Sequence, residues 1–292
     1  CLFAQNILIS TPATSLVLSA PEKGELKYIY YGAKLSDRDF QTIGSLDKGK
    51  YAAYPVYGLN CPSEVALAVK HNDGNMPLQL EVVKVESSHQ DEANLTIISL
   101  KDKVYPFYVK MFYKAYQDTD IIEIWSEISH QEKKTVVLNQ FASAYLPIRK
   151  GDVWLSHLYG AWANEGRLEE VPLEAGMKVI KNKDGVRNSH TAHAEVMFSL
   201  DGKPRENEGR VIGAALCYSG NYKLRIDTDE SDYHHFFAGI NEDNSTYNLK
   251  NGEIFRTPEL ALTYSDEGLS GSSRNFHRWA RLHKLANGTK LR

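Results

Sequence analysis

The sequence predicts an all-β fold, a large antiparallel sandwich that forms one domain and ends in a single helix. Short runs rich in β-branched and aromatic residues recur along most of the chain. Turn-forming clusters separate these runs, for example NDGN (72–75), NKDG (182–185) and YSGN (218–221). Only the last part of the chain has helical spacing, and the sequence has no internal repeat or linker. This combination is typical of an antiparallel sandwich.

The predicted strands have the length and composition of sheet strands. In chain order they are 27–31, 78–85, 95–100, 105–116, 120–129, 134–146, 195–200, 210–218 and 222–228. In the last of these, apolar residues alternate with three charged ones, Lys223, Arg225 and Asp227. Such alternation predicts a sheet with one face in water.

The predicted helix lies close to the end of the sequence. The aromatic and apolar positions that recur at helical spacing are Phe276, Trp279 and Leu282 or His283. Ser272 or Ser273 can cap its first turn, and Asn287-Gly288 can end it. We therefore expect a sandwich over residues 1–270 and a helical segment over 271–292.

Composition excludes several classes of partner. The chain has 292 residues, 42% of them hydrophobic, with a net charge of −3 and a pI near 6.4. This balance argues against nucleic acid or an anionic membrane as a partner. No run approaches the roughly 20 apolar residues that a spanning helix needs.

The apolar start, CLFAQNILIS, fits a signal-peptide remnant at 1–5 or an edge strand. A periplasmic or secreted location is therefore expected, with a cytoplasmic one as the alternative.

Motifs for metal, cofactor or nucleophilic chemistry are not found in the sequence. The three cysteines are far apart, and the closest histidines, His234-His235 and His190/His193, have no third ligand nearby. No phosphate-binding loop or nucleophile elbow occurs. The segment His71–Asp73 could supply an acid and a base, but the following glycine favours a hairpin turn. We expect no metal and no cofactor, and the spacing of the many carboxylates does not single out a catalytic pair.

Several longer motifs occur together and in a fixed order. They are YPVYG (54–58), VKHNDGNMPLQLEV (69–82), LSHLYGAWANEGRLEEVPLEAG (155–176), DGVRNSH (184–190), EGRVIGAALCYSGNYKLRID (208–227) and NLKNGEIFRTPELALTYSDEGLSGSSRNFHRWARLH (248–283). This series resembles the N-terminal region of the bacterial α-galactosidases of glycoside hydrolase family 36. The resemblance extends from about residue 25 to the end of the sequence.

The resemblance implies a β-supersandwich of the galactose mutarotase type, followed in the family by a catalytic (β/α)8 barrel. The family's catalytic aspartates lie on that barrel, and its Lys-Trp-Asp motif does not occur in this sequence. Helix 273–285 would then connect sandwich and barrel, with Phe276 and Trp279 on the sandwich and three arginines, Arg274, Arg278 and Arg281, facing the linker or barrel. The alternative is an ordinary C-terminal helix docked on its own sheet.

The resemblance also supplies candidate site residues. In bacterial members of the family an N-terminal arm reaches the active site of a neighbouring subunit. Asp37 and Asp39, with Arg38 between them, are the candidates for its sugar contacts, although a solvated turn fits them as well. Asn60 could contact a sugar hydroxyl. Trp162 and Glu165 are candidates for packing or barrel contact, together with Arg274 and Trp279.

The leading functional hypothesis is a non-catalytic N-terminal domain of an α-galactosidase that removes terminal α-galactosides from raffinose- or melibiose-type sugars with retention. Its partners would be the barrel of the same polypeptide, galactosides and further copies in a homo-oligomer, and it should expose an apolar patch for the barrel.

An α-N-acetylgalactosaminidase or a galactosyl transferase would share the scaffold. A free-standing carbohydrate-binding sandwich is a different class. So is a sugar epimerase, which would need His157, His193 and Glu195 to converge on one sheet face.

Overall fold

The predicted fold class is confirmed by the computed structural model, in which strands dominate. The structure describes residues 5–21, 23–46, 49–58, 64–149, 151–187, 191–230 and 233–285. Asn60 therefore lies outside the described residues, as do residues 1–4 and the expected helix end at Asn287-Gly288. The edge strand expected at the start is found at Gln5–Ser10, where it pairs only with the next strand among the described residues.

The strands are β1 (Gln5–Ser10), β2 (Thr14–Ala20), β3 (Lys27–Ala33), β4 (Leu67–Lys70), β5 (Leu80–Gln90), β6 (Ala93–Asp102), β7 (Phe107–Tyr116), β8 (Ile122–His130), β9 (Val136–Arg149), β10 (Trp154–Ala161), β11 (Asn164–Pro172), β12 (Gly176–Lys181), β13 (Ala192–Ser199), β14 (Val211–Leu216), β15 (Tyr222–Thr228), β16 (Tyr233–Ile240), β17 (Tyr247–Leu249), β18 (Ile254–Arg256) and β19 (Leu260–Ser265). The helices are α1 (Asp37–Leu46) and α2 (Gly268–Trp279), and α2 continues into a π-helical turn over Ala280–Lys284.

Two large antiparallel sheets form the body of the domain. The larger sheet has ten strands in the order β11-β10-β13-β14-β19-β8-β7-β6-β5, with β18 also paired to β8. The second has six strands in the order β12-β15-β16-β9-β17, with β4 also paired to β9, and β1–β3 form a small third sheet. Alternate side chains of the two large sheets fill one continuous core. Its largest fully buried side chains include Tyr222, Phe107, Phe198, Phe236 and Phe237.

Strand β15 shows that the predicted water-exposed face is wrong. Arg225 and Asp227 are only 6% and 9% exposed. The segment that precedes β4 lies against this face, since Arg225 Nη2 donates to the Val65 carbonyl at 3.0 Å and its Nη1 forms an ion pair with Glu64. Burial of a charged side chain is tolerated there because a carboxylate and a carbonyl both accept from it. On this strand a charged residue of the alternating pattern, Arg225, is therefore covered and paired rather than exposed to water.

Helix α1 replaces the solvated turn that we expected at residues 37–39. Ser36 precedes it, and its Oγ accepts from the Asp39 backbone N–H at 3.2 Å while donating to Asp39 Oδ2 at 2.7 Å. This reciprocal arrangement resembles a capping box, which satisfies first-turn N–H groups that a helix cannot pair internally.

Helix α2 begins before the predicted serine cap. Its N-cap residue is Glu267, which makes no side-chain capping bond, and both Ser272 and Ser273 lie inside the helix. The first N–H groups are satisfied by a neighbouring loop instead. Leu269 N donates to Arg205 O at 3.1 Å and Ser270 N to Glu206 O at 2.9 Å. A tertiary contact thus takes the place of a local cap.

Across the described residues, none of the helices has the length and apolar character required to cross a membrane.

Candidate functional site

Helix α2 lies across the outer face of the ten-stranded sheet and is held there by two aromatic side chains. Trp279 is 6% exposed and packs in a buried cluster with Tyr116, Ile121 and Ala261, against which Phe276 also lies. The sheet approaches the helix closely at Gly213 of β14, where a Cβ would come within 2.7 Å of the Phe276 ring. The expectation that Phe276 and Trp279 pack on the sandwich is confirmed.

The polar face of α2 points to solvent. Arg274, Arg278 and Arg281 are all exposed. Arg274 forms an ion pair with Glu267 at 2.5 Å, in which both side chains are more than half exposed. Such a surface pair contributes little to stability, so Arg274 remains available to a partner that covers this face.

The π-helical turn fixes the end of α2 through a buried carboxylate. Glu123 of β8, with 4% of its side chain exposed, accepts from the Tyr116 hydroxyl at 2.9 Å and forms an ion pair with Lys284. Burial lowers the pKa of Lys284, but the hydrogen bond and charge of Glu123 outweigh this and raise it overall. The π-helical turn is therefore anchored to strand β8 through Lys284.

A second group of polar side chains includes one residue of this turn, His283. Glu92, Asp118 and His283 bring one ligand atom each to within 4.8 Å of one another, a spacing that metal ligands can have. However, His283 Nε2 already lies 2.9 Å from Asp118 and its Nδ1 3.4 Å from Glu92. His283 thus lies between two carboxylates, and these contacts connect the turn to the β5–β6 and β7–β8 loops.

Of the histidines considered as metal ligands in the sequence, His190 lies outside the described residues. His235 bonds to Asp229 and Tyr145, and His234 bonds to Thr228. Neither belongs to the one His, Asp and Glu group that gathers ligand atoms in the described part of the chain.

A groove of about 510 Å³ separates α2 from the β10–β11 hairpin. Its lining includes the apolar side chains Leu158, Leu168, Met197, Leu269 and Phe276 and the polar side chains Glu195, Glu206, Arg274 and His277. An apolar floor with a charged rim suits contact with another folded surface. Of the predicted contact residues, Arg274 lies in this groove, whereas Trp279 is buried beneath the helix.

The tip of the β10–β11 hairpin presents a large aromatic side chain to solvent. Trp162 is 83% exposed and therefore does not pack against the part of the chain that the structure describes. Glu165 is also exposed, and its Oε1 accepts from the Ala163 backbone N–H at 3.0 Å, which stabilises a turn in which Ala163 has a φ of +59°. The role of Trp162 and Glu165 in contacting a barrel stays a prediction. An indole this exposed would bury a large area on contact with a partner.

The candidate sugar-contact residues Asp37 and Asp39 lie in the first turn of α1, apart from α2, and both are exposed. Asp39 is engaged with Ser36, which gives it a structural role in capping the helix.

The three residues considered for an epimerase site do not converge. His157 of β10 is directly opposite Val196 of β13, and directly opposite residues share a face of the sheet. His193 and Glu195 alternate with Val196 and therefore lie on the other face, where they are 3.4 Å apart. His157 instead contacts Glu169 at 2.5 Å, and burial, with help from Lys178, lowers its pKa.

Known proteins with a similar sequence are longer than this chain. The chain is 27% identical over 299 residues to alpha-galactosidase Mel36A of Lactobacillus acidophilus, covering 90% of this chain and 40% of that protein. It is 30% identical over 200 residues to alpha-galactosidase AgaA of Geobacillus stearothermophilus, covering 68% of this chain and 27% of that protein. It thus spans less than half the length of these relatives.

The crystal structure of the GH36 alpha-galactosidase AgaA from Geobacillus stearothermophilus has the same fold over this region. It superposes with a TM-score of 0.86 at 23% identity, covering 95% of this chain and 43% of that one. Residues 24–250 match the glycosyl hydrolase family 36 N-terminal domain. This match covers most of the chain, which therefore belongs to the glycosyl hydrolase family 36 N-terminal domain family.

Proposed function

We propose that this chain acts as the non-catalytic N-terminal domain of an α-galactosidase, and that it supports a catalytic barrel in the same polypeptide. The observation that carries the proposal is the family match over residues 24–250. The relatives of this chain that are named as α-galactosidases are more than twice as long as it is. The complete enzyme would release terminal α-linked galactose from raffinose- or melibiose-type oligosaccharides, and its catalytic carboxylates would lie outside this chain.

The docking surface for the barrel is the groove beside α2 together with the tip of the β10–β11 hairpin. Trp162 and Leu168 are 83% and 57% exposed, and Arg274 lies at the rim of the groove. The π-helical turn, fixed by Glu123 and Lys284, sets the point from which the chain would continue toward the barrel. The exposure of Trp162 and Leu168 beside α2 supports this proposal, because a docking surface needs exposed apolar side chains.

Hydrolysis of a chromogenic α-galactoside by this chain alone, and by the longer polypeptide that the proposal requires, tests the assignment. We expect the longer polypeptide to cleave the substrate and this chain to be inactive at any concentration. Cleavage by this chain alone would overturn the proposal, because it would place a pair of catalytic carboxylates within the sandwich.

The docking surface needs a test of its own in the longer polypeptide. Trp162→Ala combined with Leu168→Asp should lower its thermal stability and its activity together, since both would depend on contact between the domains. Val104→Asp is the matched control, because Val104 is 79% exposed in the β6–β7 turn and does not line the groove. If the double substitution and Val104→Asp lower stability and activity equally, the barrel docks on another surface. Light scattering on the same samples would measure the proposed homo-oligomer.

A further inference from the structure

A second cavity, of about 570 Å³, lies where β3 meets the end of β9 and the start of β16. Its volume falls in the range typical of small-molecule sites, about 300–1,000 Å³. Five tyrosines line it, Tyr28, Tyr30, Tyr31, Tyr51 and Tyr233. We call it the tyrosine cavity. None of its described lining residues belongs to the groove beside α2.

Two of these tyrosines are held in place by neighbours behind the wall. The rings of Tyr51 and Tyr233 meet edge to face at 4.9 Å, and the Tyr51 ring also packs on His235 at 4.7 Å. The Tyr51 hydroxyl donates to Asp229 Oδ2 at 3.0 Å, and the Tyr233 backbone N–H donates to Asp229 Oδ1 at 3.1 Å. The aromatic wall is therefore organised before any ligand binds, which lowers the entropic cost of binding.

The charged side chains of the cavity are hydrogen-bond donors. Lys50 Nζ lies 5.0 Å from the centre of the Tyr51 ring and 5.4 Å from that of Tyr233. Arg149 and Arg210 also line the cavity, and Arg210 is held by Asp201 through an Nε–Oδ1 bond of 3.0 Å. No carboxylate occurs among the described lining residues. A ligand rich in hydroxyl oxygens would match these donors.

We propose that the tyrosine cavity binds a short neutral saccharide. A sugar ring has flat C–H faces that pack on tyrosine rings, and hydroxyls that accept from lysine, arginine and phenol groups. Ile29, Ile148 and Ile212 add an apolar part to the same wall. The site would lie on the N-terminal domain itself, so it goes beyond the structural support of a barrel.

The test is binding to the 292-residue chain by saturation-transfer NMR and calorimetry, with raffinose, lactose and maltotriose as neutral probes. We expect saturable binding of at least one probe. Lys50→Gln should weaken it at least about threefold without unfolding the chain, because Lys50 is exposed in a loop. Tyr233→Ala should abolish it. Tyr57→Ala is the matched control, since Tyr57 is 48% exposed and lies outside the cavity.

Three results would overturn the inference. They are no saturation with any of the three sugars, binding that Lys50→Gln and Tyr233→Ala leave unchanged, and binding of inorganic phosphate but not of sugars. The outcome is independent of the proposed function, because it is measured on this chain and does not involve hydrolysis or a barrel.

Discussion

The two helices found among the described residues are stabilised in different ways. Helix α1 is short, its described positions are exposed or half-buried, and a serine side chain caps its first turn. Helix α2 has no side-chain cap and is held by Trp279, by Phe276 and by backbone bonds to the 205–206 carbonyls. Local chemistry thus stabilises one helix and tertiary packing the other, so substitutions of the same kind should differ in their effect on the two helices.

Trp279→Ala should lower the stability of the fold more than the other changes, because it leaves a cavity in the buried cluster beneath α2. Large-to-small changes of buried aromatic residues cost about 3–5 kcal/mol of unfolding free energy. Urea unfolding followed by circular dichroism measures this loss. Trp162→Ala makes the same chemical change at an exposed position and should stay within about 0.5 kcal/mol. If both substitutions lower the free energy of unfolding equally, packing on the sheet does not stabilise α2.

Gly213→Ala should be the next most disruptive change. The new methyl group would come within 2.7 Å of the Phe276 ring, so α2 or the sheet would have to move. Overpacking of this kind costs about 1–3 kcal/mol. Gly151→Ala is the control, because a Cβ there meets nothing within 4 Å and its φ is not positive. A shift in denaturation midpoint for Gly213→Ala no larger than that for Gly151→Ala would contradict the close approach of helix and sheet.

Lys284→Gln should change how stability depends on pH. The pKa of Lys284 is raised in the folded state by Glu123, against the opposing effect of burial. Its contribution to stability is therefore complete below the unfolded pKa of about 10.4 and is lost as pH rises through the higher folded pKa.

Thermal unfolding between pH 8 and 11.5 measures this dependence. The unchanged chain should lose stability more steeply at the alkaline end than Lys284→Gln does. Lys84→Gln is the matched control, since its pair with Glu86 is largely exposed, and it should keep the original slope. Identical slopes for Lys284→Gln and the original chain would show that the pair with Glu123 does not form.

The sequence predicted those features that depend on neighbours along the chain. Strand composition and turn clusters gave the all-β class, and helical spacing placed Phe276 and Trp279 on the buried face of α2. The helix α1 was missed, although Ser36 followed three residues later by Asp39 is a recognisable capping pattern. The local signal for this helix is therefore present in the sequence, although an exposed turn fits the same residues.

Other features depend on residues that are distant in sequence and could not be predicted. In the sequence, Glu123 occupies a position that the alternating pattern assigns to the polar face of a strand. Its contact with Lys284 forms only in the folded chain. The burial of Arg225 likewise depends on Glu64. At the candidate site, the motifs indicated Trp162 and Arg274, but the groove between α2 and the hairpin exists only once β10, β13 and the helix have assembled.

Ser36→Ala should have the smallest effect on global stability. It also shows most clearly that the two helices are stabilised in different ways. Loss of the cap removes the acceptor for the Asp39 N–H and should cost about 1 kcal/mol, confined to α1. Amide hydrogen exchange should therefore quicken in residues 37–46 with little change in global unfolding, because α1 contributes little to the core. Ser273→Ala is the counterpart in α2, where the serine lies inside the helix and makes no cap. It should leave exchange in α2 unchanged. Faster exchange throughout the sandwich after Ser36→Ala would mean that α1 is coupled to the core and that its stability, like that of α2, comes from tertiary packing.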